Sequence, residues 1–183
     1  MRGRKRPFWS FRRKNSRSLL KDDSGVTAVE FAFVALPFFL LTIAIIEVGL
    51  VQVVGYMVDN AVVSAARMIR TGQAVTGTFT ADEFKKQICN FMPEFMCDPN
   101  TISIEVVAVD SFAAASSTDD LYEDDGEVRE DLKFETGNAG EIVVMHVIFR
   151  WPMMISNLEL FPYDHDGVRY LTSTMVFRNE PWE

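Results

Sequence analysis

Gly25 and Glu30 are the two residues of this sequence whose types and spacing best suit chemistry. The peptide bond after Gly25 joins a basic, polar stretch to the apolar run Val26-Thr27-Ala28-Val29-Glu30-Phe31. Hydrolysis at that bond would leave a new α-amino group on Val26. Glu30 lies four residues further on, which in a helix is the same face one turn away. Its carboxylate suits the positive end of a helix macrodipole. A carboxylate inside an apolar segment is costly and needs a cationic partner. That partner is either the new amine of the same chain or the ammonium of a neighbouring subunit; the second arrangement would set axial register when helices stack in a filament. The plainer alternative is a Glu30 that snorkels to the membrane interface.

Other groups carry weaker signals. Cys89 and Cys97 are too few for a metal site and close enough for a local disulfide, if the domain lies in an oxidising compartment. Glu47 falls at the outer end of the apolar run, where a water-facing, interfacial carboxylate is expected; the alternative is a pair with Arg67 or Arg70 of another subunit. Asp119, Asp120, Glu123, Asp124, Asp125, Glu127, Glu130 and Asp131 form an acidic run. Carboxylates are hard ligands for calcium, yet Leu121 and Glu123 occupy positions before Gly126 where an EF-hand needs Asp or Asn. Asp164-His165-Asp166-Gly167 is incomplete in the same way, with Pro162 in place of the first ligand. A solvated loop is the expectation for the acidic run. His146 sits in a β-prone run and His165 in a turn. There is no G-x-S-x-G and no H-E-x-x-H, so the expectation is no catalytic residue, no metal and no cofactor. Trp151, Pro152, Phe161, Pro162 and Tyr163 fit core packing, or else an exposed aromatic surface.

The elements that must position these groups follow from hydropathy and charge. From Val26 to Ile46 there are 21 residues with Glu30 as the only charge. As a helix this run would be roughly 31 Å long, enough to cross a hydrocarbon core of about 30 Å. A secretory signal peptide fits poorly, because the run is long and no A-x-A-like site follows it. Arg12-Arg13 reads as part of a charge block and not as a twin-arginine signal. Residues 1–25 carry nine basic and two acidic side chains, a balance of +7 against a net charge of −8, so the remainder carries −15. The positive-inside rule holds the basic tail in the cytoplasm and sends the acidic remainder across the membrane. That remainder offers no basic face to nucleic acid.

Helical periodicity continues to about Arg70 through Val51, Val54, Val58, Ala61, Val62, Ala65, Met68 and Ile69, with Gln52, Asp59, Asn60, Ser64, Arg67 and Arg70 at other positions, so the second half of the helix is amphipathic. Such a helix would be roughly 65 Å long, and half of it would protrude from the bilayer. Pro37 predicts a kink, since it removes the amide that would bond the carbonyl of Phe33. Thr71-Gly72 reads as the stop. Thr80-Ala81-Asp82-Glu83 forms a capping box for a short helix to about Met92, ended by Pro93. Strands are predicted over 101–109, 141–151 and 168–177, with a loop-like insert at 111–140. The fold class is α+β: a long N-terminal transmembrane helix whose amphipathic half packs on a small, mainly antiparallel sheet. Three regions result, a basic cytoplasmic leader (1–25), the transmembrane and extended helix (26–70), and an extracytoplasmic domain (71–183).

The basic leader, Gly25, Val26, Glu30 and Phe31 together resemble a type IV prepilin processing site. The finer pattern resembles the TadE-like pseudopilins, minor pilins of the tight-adherence (Flp pilus) system. It rests on Ala28-Val29-Glu30-Phe31-Ala32, Leu36-Pro37, Ile46-Glu47-Val48-Gly49 and, more weakly, Arg178-Asn179-Glu180-Pro181. The resemblance implies cleavage between Gly25 and Val26 by a membrane-embedded prepilin peptidase. It implies a subunit without catalysis of its own, working with other pilins or pseudopilins and the assembly platform of an adhesion pilus. The place implied is the bacterial inner membrane, single-pass, with the C-terminal domain periplasmic or carried into the pilus. A type II secretion pseudopilin shares the Gly-Glu logic, and an uncut, signal-anchored binding or sensor domain shares the topology.

Overall fold

Apolar residues packed without interruption make a helix that buries any face it is offered, while periodic ones choose a single face. Both patterns occur in the first element. A computed structural model describes residues 25–74, 79–117, 120–154 and 164–182. Helix α1 spans Val26–Arg70, α2 spans Ala81–Asn90, and the strands are β1 (Ile102–Val109), β2 (Ile142–Pro152) and β3 (Val168–Arg178). The chain divides between Ile43 and Ala44 into two units. The leader, including Arg12-Arg13, lies outside the described residues up to residue 24, as do Asp119 and Phe161-Pro162-Tyr163.

The described part of the first unit is the amino-terminal stretch of α1. It contains Pro37 within the helix. Thr42 donates its hydroxyl to the Phe38 carbonyl at 2.8 Å, and Phe38 and Phe39 meet edge to face. No side chain of this stretch is buried.

In the second unit α1 becomes one wall of a core. Val54, Val58, Ala61, Val62, Ala65, Ala66 and Ile69 are all buried. They face one side of an antiparallel sheet of order β1-β2-β3. That side is built from Ile102, Ile104 and Val106 of β1, Val143, Met145, Val147 and Phe149 of β2, and the half-buried Leu171, Met175 and Phe177 of β3. The two-residue period of each strand sends these side chains to one face. Phe84 and Ile88 of α2 close the same core.

Local chemistry fixes the ends. Gly72 (φ 74°) ends α1, and a side chain there would collide with the Trp182 indole, whose Cδ2 stands 2.6 Å from where a Cβ would lie. Thr80 caps α2: its hydroxyl accepts the Glu83 N–H, and the Glu83 carboxylate accepts the Thr80 N–H at 2.8 Å. Those bonds hold the Glu83 carboxyl below its ordinary pKa. A disulfide joins Cys89, near the end of α2, to Cys97, with Cα atoms 5.3 Å apart. The insert between β1 and β2 is tied down at several points. Val128 is buried, Phe134 packs on Phe84, and Tyr122 stacks on Tyr170.

Candidate functional site

Gly25 directly precedes α1, and the space where a Cβ would project from it is open. The Gly25–Val26 bond is therefore uncrowded by the rest of the described chain. Glu30 is exposed in the second turn, among exposed Val29, Phe31 and Phe33, the last 78 % accessible. No ion pair engages Glu30 among the described residues. Large apolar side chains remain exposed along this stretch as far as Ile46, far beyond the scattered apolar residues of an ordinary soluble surface. Among the described residues one helix, α1, is long and apolar enough to cross a membrane. The chain thus carries one candidate N-terminal membrane anchor.

Glu47 departs from its expected water-facing position. It is 1 % accessible, and its Oε1 accepts the N–H of Met154 at 2.6 Å, just past β2. Its Oε2 has no hydrogen-bond partner among the described residues. The reason is register: Glu47 lies on the same stripe as Val54, Val58, Ala61 and Ala65, the face α1 turns inward. Stripe membership was visible in the sequence and could have revealed it. Arg70, the alternative intersubunit partner, instead pairs within the chain with Glu180 at 3.0 Å.

Three carboxylates of the acidic run have partners within the insert. Asp120 accepts the Tyr122 N–H, Asp125 accepts the Glu127 N–H, and Asp131 takes two donors from Arg129. The Arg129 hydrogen bond holds the Asp131 carboxyl below its usual pKa. Asp164 accepts the Tyr170 N–H at 2.7 Å and stands near Arg169, which makes it a turn-building residue. Among the described residues no three His, Cys, Asp or Glu side chains gather as a metal site would require.

On the sheet face away from α1, Glu105, His146 and Thr174 stand side by side in register across the three strands. His146 Nδ1 and Thr174 Oγ1 are 2.9 Å apart. Burial lowers the His146 pKa, favouring the neutral ring. Trp151 stacks on Phe149 and packs against the core, as its blander reading expects.

Sequence reasoning missed the work of the last residues. The Asn179 side-chain amide donates to the carbonyls of Thr136 and Asn138, and the Asn179 N–H bonds Glu141. Glu180 bonds the end of α1 twice over, through its N–H to the Arg70 carbonyl and through its carboxylate to the Arg70 guanidinium. The Arg178-Asn179-Glu180-Pro181 stretch therefore locks the sheet to the helix end.

Comparison with known proteins bears on the first of these regions. Residues 25–67 match the family model described as TadE-like protein, a stretch of about a quarter of the chain. The match starts on Gly25 and follows α1 to within a turn of its end. The chain is TadE-like over this segment. No curated protein and no solved structure matches it.

Proposed function

We propose that this TadE-like chain is a pilin-like subunit, trimmed between Gly25 and Val26 by a prepilin peptidase, that acts in assembling a Flp-type adhesion pilus. The observation that carries the reading is an apolar helix beginning directly after Gly25, with no buried side chain from Val26 to Ile46 and Glu30 as the only charge there. Its apolar surface is too large to be left in water, so lipid or the apolar helices of other subunits must cover it. Before assembly the cover is the inner membrane, with the basic leader on the cytoplasmic side and residues 71–183 on the periplasmic side. After assembly it is the bundle of neighbouring pilin helices. There Glu30 meets the Val26 ammonium of an adjacent subunit and sets its axial position. The protein is a substrate and a structural part, with no chemistry of its own. Its partners are the peptidase, other pilins and the assembly platform.

Mass spectrometry of the intact membrane-extracted protein tests this. Peptidase-positive cells are expected to yield a chain that starts at Val26, and Gly25→Trp cells the untrimmed chain. A chain that keeps its leader in peptidase-positive cells would mark it as an uncut anchor instead.

A further inference from the structure

Within the second unit, α1 carries another stripe besides the one it packs on the sheet. Ile46, Gly49, Val53, Tyr56, Asn60 and Val63 follow one another at alternating steps of three and four residues, the spacing of a heptad seam. At about 100° per residue they fall on the side of the helix opposite Glu47, Val54, Val58, Ala61 and Ala65, the buried stripe. All six are exposed; Tyr56 is 61 % and Val63 54 % accessible. Polar residues on this side bond back to their own helix. The Asn60 amide donates to the Tyr56 carbonyl at 2.8 Å, and the Ser64 hydroxyl donates to the Asn60 carbonyl at 2.9 Å. Gly49 leaves open the space where a Cβ would project, so another backbone can come close. Arg67 takes the next seam position and ends the apolar series. Lipid does not account for this stripe. A span over Val26–Ile46 already takes roughly 31 Å of helix against a hydrocarbon core of about 30 Å, and the stripe carries on for ~26 Å more. Exposed Gln52 and Asp59 flank it, and hydrocarbon would not accept that charge.

We propose that this seam joins two copies of the chain, their α1 helices paired side by side, parallel and in register, just outside the membrane; that location rests on the anchored reading above. A seam of this spacing is self-complementary, since each side chain of one copy meets the matching position of the other. In parallel register Asn60 opposes Asn60. Each amide keeps one N–H and its oxygen beyond the bond to Tyr56, so the two amides can bond each other. A lone asparagine at such a position fixes register and oligomeric state in paired helices. Antiparallel pairing over the same span would set Asn60 against Gly49, which has no side chain to answer the amide. The sheet packs on the opposite side of α1 and does not obstruct the pairing. Two short seams held in one membrane also meet at a high effective concentration, so a modest contact suffices.

The test is disulfide cross-linking of the full-length protein in its own host membranes, with one cysteine introduced at a time and the Cys89–Cys97 bridge left in place. Under mild oxidation Val53→Cys, Tyr56→Cys and Val63→Cys are each expected to give a species of twice the chain's mass, in which mass spectrometry finds the substituted peptide joined to its own copy. Val48→Cys, comparably exposed but off the seam, is expected to give about tenfold less. Tyr56→Glu opposes two carboxylates at mid-seam and is expected to lower the Val53→Cys yield about tenfold or more. Protease resistance certifies that variant as folded, and Asn60→Lys decides in its place if it is degraded. Equal yields at Val48 and on the seam, links to a different protein, or a yield indifferent to these charges would overturn the proposal. The cross-link is read in membranes with or without a prepilin peptidase. Its absence beside normal trimming and normal pili defeats the seam and leaves the assembly role standing; a specific dimer of an untrimmed chain that pili do not need does the reverse.

Discussion

Helix α1 is one element with two fates. From Val26 to Ile46 it buries nothing, and from Glu47 to Ile69 it buries one or two residues in most turns. Apolar content does not separate the halves, since both are rich in Val, Ile and Ala. Pattern does. The second half buries one apolar stripe against the sheet and sets Asp59, Asn60, Arg67 and Arg70 off it, although Val48, Leu50, Val53, Tyr56 and Val63 stay exposed. The first half is apolar all round, and no single face could cover it. The lesson is that the core of the domain is built without the first half, which buries no side chain among the described residues.

That contrast can be broken in several ways. The largest effect is expected from Ala65→Asp, which puts an unpartnered charge at a fully buried position. The purified domain in detergent should fail to unfold cooperatively by circular dichroism. Ala35→Asp, in the first half, should leave the domain's melt intact and impair membrane insertion. If both variants behaved alike, the division of α1 would be wrong. A graded form compares Ile69→Ala, expected to cost about 2–5 kcal/mol in chemical denaturation, with Ile43→Ala, expected to stay within about 0.5 kcal/mol. Removing the Cys89–Cys97 bridge by paired Ser substitutions should cost about 2–3 kcal/mol, again in the domain alone. Glu30→Ala should leave the melt unchanged, permit trimming after Gly25, and deplete the protein from sheared pili by immunoblot; normal incorporation would remove Glu30 from the register role.

The smallest expected effect concerns pH. His146 has a lowered pKa in the fold, so the unfolded chain binds its proton more readily. Stability is then full above the ordinary imidazole range of about 6.5 and declines as pH falls through the folded value. His146→Gln should flatten that slope in a urea series between neutral and mildly acidic pH. Glu83 and Glu141, whose pKa values are also lowered, contribute at more acidic pH and should be unaffected by the substitution.

Much of the fold was legible because its signals are local. The limits of α1, the Thr80–Glu83 capping box and the three strands each follow from a few adjacent residues. The alternation Ile102, Ile104, Val106 gave the inward face of β1 directly. What escaped was non-local. Nothing near Phe134 in the sequence says that its backbone will close the border of β1, and nothing near Asn179 says that its amide will hold carbonyls about forty residues away. Glu47 was misplaced for a different reason. Its charge was weighed against the membrane boundary, when its place on the helical stripe decided the outcome. The roles proposed for Gly25 and Glu30 rest on side-chain type and spacing, and the TadE-like match spans the same segment.

The segment from Lys133 to Glu135 has a consequence for what the sheet can pair with. By occupying one margin of the sheet from within, it denies the molecule a means of templating its own kind through backbone pairing. A strand approaching that margin finds both backbone groups of Val106 already taken. Backbone pairing at Val106 would require this segment to leave first.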